Sequence, residues 1–245
     1  YKANWNNYIC TLFFRMKKSI FIIVFISFST LVFGQVYEIG AFLGGTNYVG
    51  DIGRTSYVHP NKVAGAAFFK YNINPKMAFR ATYSYLPITG DDADADTDYR
   101  RTRGPNNIGY NFSNTINELA IGLEYNFYDY DLSTPGKTWT PYILLELAGF
   151  NYKYISEEIQ PNEYVYNRKN SIAVPIGIGF KSKLSGAFAF ALETKFRYTF
   201  EDDLDYTTSK IESLNIGKTG KDWYMFTGFS LTYTFGRPAC YTNGL

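Results

Sequence analysis

Few residues in this chain have side chains that could act as catalysts. His59 is the single histidine, and as a general acid or base it would need an orienting carboxylate and a nucleophile close by. Asp51 and Ser56 are near it in sequence, but their spacing does not fix a geometry. The alternative is an ordinary loop histidine before Pro60, and we expect no enzymatic activity and no cofactor.

Metal and disulfide chemistry are limited in the same way. Of the two cysteines, one lies in an N-terminal segment that we expect to be removed, and the other is Cys240. One His and one Cys are too few for most zinc sites, and one Cys cannot form an internal disulfide framework. In an exported protein, Cys240 suggests an intermolecular disulfide or a reactive thiol. The alternative is an inert thiol in a frayed tail.

The acidic run from Asp91 to Asp98 is the other place where ligand chemistry could occur. An EF-hand loop needs Gly at its sixth position and Glu at its twelfth, but counting from Asp92 these positions hold Thr97 and Arg103. Loose calcium binding is therefore one interpretation, and a solvated, mobile loop with arginines nearby is the other; we expect no defined metal site. The acidic residues just after position 200 allow the same two interpretations.

The N-terminal part of the chain has the features of an export signal. A Met-Lys-Lys start at Met16 leads into the apolar run Ser19–Phe33, and a small-residue cleavage pattern ends at Gly34. We expect residues 16–34 to be a secretory signal peptide and residues 1–15 to be an over-called start. Gln rather than Cys follows the cleavage site, so nothing indicates a lipid anchor there.

Removal of residues 1–34 also changes the charge balance. The 24 basic and 22 acidic residues of the whole chain become 20 and 22, because that segment holds four basic residues and no acidic one. A mildly acidic chain gives no indication of nucleic-acid binding. Downstream of residue 34, no apolar run approaches the ~18–20 residues that a spanning helix needs.

The composition and its patterning instead favour a barrel. The chain has 23 Tyr, 21 Phe and 21 Gly, and eight segments alternate between apolar and polar or small residues with the period of a strand. Their length suits the ~9–11 residues of a bilayer-crossing strand better than the ~5–6 of most soluble strands. We therefore predict an all-β fold, an eight-stranded antiparallel up-and-down transmembrane β-barrel over residues 35–235, with a bulge after Gly149. The segments lie near Tyr37–Tyr48, Lys62–Tyr71, Met77–Leu86, Asn117–Tyr128, Thr140–Tyr154, Ile172–Lys181, Phe188–Phe200 and Trp223–Phe235.

The connections between these segments alternate between long and short. Outer-membrane barrels have long outer loops and short periplasmic turns, and an even strand number puts both termini in the periplasm. We therefore expect a location in the cell outer membrane, with aromatic girdles near the strand ends. The long connections are residues 49–61, 87–116, 155–170 and 201–221, and the short ones are 72–76, 129–138 and 182–186. The expected girdle residues are Tyr48, Tyr85, Tyr128, Trp139, Tyr154 and Trp223.

Ten charged residues fall on the predicted inner face, five acidic and five basic. Eight strands leave an interior just wide enough for side chains to fill, and an unpaired buried charge would be very costly. We therefore expect a paired internal network and a plugged barrel, with a conducting pore as the alternative. The residues are Glu38, Lys70, Arg80, Glu118, Glu124, Glu146, Lys181, Glu193, Lys195 and Arg197.

The chain continues past Phe235 with residues 236–245, which we expect to enter the periplasm as a tail. With this ending and its N-terminal stretch, the sequence resembles the PorG family, small outer-membrane barrels of the type IX secretion system in Bacteroidota. The resemblance covers essentially all of the chain after residue 34. Its most specific parts are Gly-Gly-x-x-Tyr-x-Gly-Asp at Gly44–Asp51 and Phe-Gly-Arg-Pro-x-Cys-Tyr at Phe235–Tyr241.

The resemblance implies a scaffold rather than an enzyme. Family members are tied to a periplasmic ring built from a PorK-type lipoprotein and a PorN-type partner, and they help to hold that ring against the outer membrane during protein secretion and gliding motility. Carried over by position, the ring contacts are Arg237, Pro238, Cys240 and Tyr241, and a disulfide through Cys240 is a further hypothesis. A general envelope-stabilising or adhesion barrel that acts through its outer loops is the alternative.

Overall fold

The computed structural model describes residues 37–54, 56, 58–104, 107–131, 138–161, 163–216 and 220–236. Eight antiparallel strands form a closed barrel in which each strand pairs with its neighbours in the chain and the last pairs with the first. The predicted all-β, eight-stranded antiparallel fold is thereby confirmed. The expected over-called start, the expected signal peptide and residues 237–245 lie outside the described residues. The strands are β1 (Tyr37–Val49), β2 (Lys62–Asn74), β3 (Met77–Asp91), β4 (Asn111–Asn126), β5 (Trp139–Gln160), β6 (Glu163–Ser185), β7 (Phe188–Thr199) and β8 (Trp223–Phe235).

The seam between β1 and β8 closes the barrel. It runs without a register shift from Tyr37 opposite Phe235 to Val49 opposite Trp223. Gly44 faces Gly228 in the middle of the seam, and a Cβ added at Gly228 would lie 2.2 Å from the carbonyl oxygen of Leu43. The two strands can approach this closely only because both positions lack a side chain. A closed sheet has no free edges, which is the condition for a strand structure to cross a membrane.

The outer face of the barrel is apolar, as the alternation predicted. In β4, Leu119 is 61 % and Ile121 63 % exposed, whereas Ala120 between them is fully buried. The same alternation in the other strands surrounds the barrel with exposed Leu, Ile, Val and Phe side chains. Such a band fits the hydrocarbon layer of a membrane. No helix within the described ranges is long and apolar enough to cross a membrane.

Aromatic rings concentrate near the strand ends. Trp139 packs against Tyr128, with ring centroids 5.2 Å apart, and against Phe180, at 5.5 Å. Two residues expected in these girdles are placed elsewhere. Tyr48 is only 4 % exposed and points inward, and Tyr154 is partly buried against the hydrophobic cluster inside the barrel.

The connections differ from the predicted alternation of lengths. The segment 155–170, expected to be a loop, is almost entirely strand, because β5 runs to Gln160 and β6 begins at Glu163. Similarly, β3 and β4 are longer than expected, so the loop predicted at residues 87–116 is shortened to residues 92–110. The connection 127–138, expected to be short, is longer than three of the other connections, the turns 75–76, 161–162 and 186–187.

β5 and β6 form a hairpin that rises past the rim of the barrel. The pairing of β5 with β4 ends at Asn151, and the pairing of β6 with β7 begins at Ala173. Beyond these residues, β5 and β6 pair with each other and with no other strand of the described barrel. No register shift occurs at Gly149, where a bulge was predicted; the shifts lie further out, after Ile155 and after Glu158.

The barrel has two different ends. The end with residues 50–61, 92–110, 161–162 and 200–222 is called the loop end here. The opposite end, with Tyr37, Phe235 and the connections 75–76, 127–138 and 186–187, is called the terminal end. At the loop end, residues 92–110 contain a short helix, α1 (Asp98–Thr102), and two 3₁₀ turns lie at Asp92–Asp94 and Glu212–Leu214.

Candidate functional site

The interior of the barrel holds the largest group of chemically active side chains. The ten charged residues predicted to face inward are each exposed by 3 % or less. Their strands place them there because every second residue of a strand faces the same side. The structure brings all ten together in one column along the barrel axis.

Glu124 is the centre of the half near the terminal end. Its carboxylate lies 2.8 Å from Lys70 Nζ and 3.5 Å from Arg80 Nη1, and it also accepts a hydrogen bond from Lys181 Nζ. Lys70 in turn lies 3.8 Å from Glu38. One carboxylate therefore bridges cations from three different strands.

A second acidic residue, Glu193, continues the network toward the loop end. Arg80 Nη1 donates to its carboxylate over 2.6 Å, and the hydroxyl of Tyr142 also donates to it over 2.6 Å. Lys195 then lies 3.6 Å from Glu193 and 2.8 Å from Glu146. Each charge thus has a neighbour of opposite sign.

The last pair in the column is Arg197 with Glu118. Nε and Nη2 of Arg197 donate to the two carboxylate oxygens over 3.0 Å each, the bidentate geometry that favours arginine. The hydroxyl of Tyr224 donates to the same carboxylate over 2.7 Å. Both charged residues are completely buried.

These contacts make the barrel interior a filled, neutral core. Five acids face five bases, and breaking a buried pair costs far more than the pair adds. Aromatic rings fill part of the remaining space; for example, the guanidinium of Arg80 lies 4.1 Å from the ring centroid of Phe68. Chemically, the paired charges neutralise one another, and all ten side chains are buried.

Tyr130 covers the network at the terminal end, a role that the sequence did not indicate. Its amide donates to the carbonyl of Pro75 over 3.1 Å, so Tyr130 is held against the neighbouring turn at this end of the barrel. Lys181 Nζ lies 4.4 Å from the centroid of the Tyr130 ring. Tyr130 lies in the alternating run Tyr128-Asp129-Tyr130-Asp131, but this local pattern does not show that its ring meets Lys181, which lies far away in the chain.

Asp92 organises the loop end. Its buried carboxylate accepts hydrogen bonds from the amides of Gly53, at 2.9 Å, and Tyr110, at 3.0 Å. Arg103 pairs with it over 2.7 Å and also donates to the carbonyl of Asp51. The interpretation of the acidic run as a solvated, mobile loop is therefore wrong for Asp92, which ties two connections together. No group of His, Cys, Asp and Glu in the described ranges is arranged to hold a metal ion.

Tyr48, Asp205 and Asp222 form a second buried cluster at the loop end, which sequence reasoning missed. The Tyr48 hydroxyl lies 2.9 Å from an Asp205 oxygen and also contacts Asp222. A single hydroxyl hydrogen serves only one of two carboxyls at a time. Burial raises the pKa of Asp205 to about 6, and burial together with the charge of Asp205 raises the pKa of Asp222 well above its usual range. The cluster therefore holds protons that exposed aspartates would lose.

His59 lies at the loop end but is not oriented by a carboxylate there. Its Nε2 lies 3.4 Å from Nη1 of Arg54. Of the two residues considered as its partners, Asp51 contacts Arg103 through its carbonyl, and the carbonyl of Ser56 accepts from Asn47 over 3.4 Å. The structure does not bring these three residues together as a catalytic group.

The four predicted ring contacts, Arg237, Pro238, Cys240 and Tyr241, lie outside the described residues. The last described residues, Phe235 and Gly236, are at the terminal end, beside the turns 75–76 and 186–187.

Comparison with known proteins identifies one family and several similar solved structures. A family model described as a domain of unknown function, DUF6089, matches residues 17–244. No curated protein matches the chain. Among solved structures, the N-terminal β-barrel domain of Pseudomonas aeruginosa OprF is 15 % identical, with a TM-score of 0.44 over 82 % of this chain and 98 % of that one. Neisserial surface protein A is 9 % identical, with a TM-score of 0.45 over 81 % and 97 %. The attachment invasion locus protein of Yersinia pestis is 9 % identical, with a TM-score of 0.44 over 81 % and 97 %.

Proposed function

The chain belongs to the DUF6089 family, and from that premise we propose that it is a non-enzymatic outer-membrane barrel that anchors the periplasmic ring of a type IX secretion system. The observation that carries the proposal is the filled lumen beneath an apolar outer surface. A barrel with this interior offers a firm hold in the membrane and two ends for contacts. The resemblance to the PorG family supplies the identity of the partner.

In this proposal the terminal end faces the periplasm and carries the contacts. Two turns and the connection 127–138 lie at that end, and the chain leaves the barrel there at Gly236. A tail held at the membrane acts as a tethered ligand with a high effective concentration. We assign the contacts with a PorK-type lipoprotein and its PorN-type partner to Arg237, Pro238, Cys240 and Tyr241. No cofactor or metal takes part.

Cys240 gives this contact a covalent form. Its thiol and a cysteine thiol of the ring lipoprotein would join as a disulfide, and the oxidising machinery of the periplasm would accept the two electrons and two protons released.

The test is an affinity purification of the native barrel from membranes kept non-reduced, with wild type and Cys240→Ser compared. Covalent recovery of a ring lipoprotein with wild type alone supports both the anchor and the disulfide. Non-covalent recovery with both proteins keeps the anchor and rejects the disulfide. Recovery with neither rejects the ring-anchoring function.

A specific observation favours a second function at the opposite end. The β5–β6 hairpin rises past the rim of the barrel, which a simple membrane anchor does not need. The alternative is therefore an envelope-stabilising or adhesion barrel that acts through its loop end. Replacing residues 154–168 by a short turn would impair that function and leave secretion intact, whereas deleting residues 237–245 would do the opposite if the barrel anchors the ring.

A further inference from the structure

A cavity of about 330 Å³ opens at the loop end, between the β5–β6 hairpin and the connections 92–110 and 200–222. Its size lies within the range of small-molecule sites. Four tyrosines give the cavity its character, together with aliphatic side chains such as Ile155 and Ile216. These tyrosines are Tyr110, Tyr164, Tyr166 and Tyr206.

Tyr206 is held in the wall by an unusual backbone conformation. Its φ is +71°, in the left-handed region that residues other than glycine seldom adopt. Its hydroxyl donates to the carbonyl of Ser113 over 3.0 Å, and its ring meets Tyr166 edge to face at 5.2 Å between centroids. A strained backbone conformation persists only where the surrounding structure fixes it. Here the strained backbone places the Tyr206 ring against Tyr166 in the wall of the cavity.

One acidic side chain, Asp205, also lines the cavity and is only 1 % exposed. Its carboxyl accepts hydrogen bonds from Thr207 and Tyr48. No lysine or arginine nitrogen in the described part of the chain lies within ion-pair distance of Asp205 or of its neighbour Asp222.

This situation is the reverse of that in the lumen, where every acidic residue has a basic partner. Arg168 is the basic residue whose charge reaches Tyr206, but its guanidinium is bound to the side chain of Asn151 over 2.7 Å and does not line the cavity. The Arg103 guanidinium lies 5.8 Å from the centroid of the Tyr110 ring, so the rings of Tyr164, Tyr166 and Tyr206 are the ones open to a ligand. The cavity thus combines aromatic rings with a buried acid that has no lysine or arginine partner among the described residues.

We propose that this cavity binds a small organic cation, an alkylammonium compound whose charged group sits among the tyrosine rings near Asp205. A cation over aromatic faces gains from the ring quadrupoles, most strongly when it is shielded from water. The aliphatic lining would accommodate the alkyl portion. This site is at the loop end and does not depend on the ring-anchoring function proposed above.

The experiment measures binding to the full-length mature barrel in detergent by isothermal titration. The probes are choline and n-butylammonium, and the control ligand is 3,3-dimethyl-1-butanol, which has the shape of choline without its charge. We expect one of the two cations to bind at least about tenfold more tightly than the neutral alcohol, as expected for a site that recognises charge through aromatic faces.

Variants then locate the site. Tyr166→Ala removes one ring of the wall and is expected to weaken binding of the cation about tenfold or more. Asp205→Asn keeps the shape of the side chain and is expected to reduce the preference for the cation over the alcohol. Tyr99→Ala is the matched control, since Tyr99 is 77 % exposed in α1 and lies outside the wall.

Three results would overturn the proposal. The first is that neither cation binds at millimolar concentration, with circular dichroism showing that the barrel is folded. The second is that the neutral alcohol binds as tightly as the tighter-binding of the two cations, which would make the cavity a general apolar site. The third is that Tyr166→Ala and Tyr99→Ala bind the cation equally well, which would place binding elsewhere.

Discussion

Glu124 shows at the scale of a single residue how the interior is held together. Its carboxylate contacts Lys70, Arg80 and Lys181, so Glu124→Gln leaves three buried cations with one partner fewer. Breaking a buried ion pair on one side usually costs about 3–5 kcal/mol, and we expect a loss of that size. The measurement is the free energy of unfolding in urea, followed by tryptophan fluorescence of the barrel in lipid vesicles.

An exposed pair at the terminal end provides the control. Lys76 and Asp129 lie 3.3 Å apart, but the Asp129 side chain is 73 % exposed. Exposed pairs contribute about 0–1 kcal/mol, so Asp129→Asn is expected to change stability little. Equal losses for Glu124→Gln and Asp129→Asn would show that the internal network does not stabilise the barrel.

Asp205 predicts a dependence of the loop end on pH. Its pKa is raised by burial from the usual 3.8 to about 6, so the packed loop end binds more protons than an opened one between these values. Stability of the packing is therefore greatest below pH 3.8 and falls as pH rises through about 6. The groups that face Asp205 do not reverse this sign, because Asp222 and Asp51 are acidic and Tyr48 and Thr207 are neutral.

Hydrogen exchange at residues 203–207 measures this effect. After correction for the intrinsic exchange rate, protection is expected to be higher at pH 5 than at pH 8. Asp205→Asn should reduce the difference, because an amide does not titrate. Greater protection at pH 8 in the wild type would contradict the assignment.

Single residues were also where prediction from sequence had its clearest limits. Strict alternation identifies which charged residues face inward, since a strand turns every second side chain to one side. It does not identify which acid meets which base, because Arg80 and Glu193 come from strands far apart in the chain. The contacts of Tyr48 with Asp205 and Asp222 were missed for the same reason.

At the scale of elements, the seam between β1 and β8 depends on two small residues. A Cβ at Gly228 would lie 2.2 Å from the Leu43 carbonyl and 2.5 Å from Gly44 Cα. Gly228→Ala is therefore expected to push the strands apart and cost about 1–3 kcal/mol. The free energy of unfolding in urea tests this.

Gly149 is the matched control for that substitution. It also lies in a strand, but a Cβ built there meets no atom within 4 Å. Gly149→Ala is expected to be neutral or slightly stabilising, by up to about 1 kcal/mol, because glycine loses more conformational freedom on folding. A larger loss for Gly149→Ala than for Gly228→Ala would mean that close approach at the seam is not what those glycines provide.

The sequence predicts the strand segments of the barrel wall well, but it does not predict the parts of the strands that extend past the rim. Inside the bilayer one face of a strand meets lipid and the other meets the lumen, which produces alternation in the sequence. The outer parts of β5 and β6 have exposed residues on both faces, such as Glu157, Ile159, Tyr166 and Asn167. Without two contrasting environments their sequence does not alternate, which is why the sequence pattern predicts a loop at residues 155–170.

For the whole molecule, the packed interior predicts that the barrel is not a channel. The ten charged residues are nearly completely buried, and Tyr130 and the loop end lie over the two openings. In a planar bilayer we expect no conductance above that of the lipid alone, with a larger porin as the positive control. Discrete steps whose size follows the salt concentration would contradict a filled lumen.

The distribution of lumen charges along the chain sets an order of events during assembly. Lys181 and Arg197 lie in the last four strands, whereas their acidic partners Glu124 and Glu118 lie in the first four. In the pair of Arg80 with Glu193, the basic residue lies in the first four strands and the acidic one in the last four. The first four strands alone would therefore bring unmatched charges to the lipid. We expect the strands to wait at the membrane surface and to enter together only when β7 has been delivered, so that insertion and closure occur as one late step.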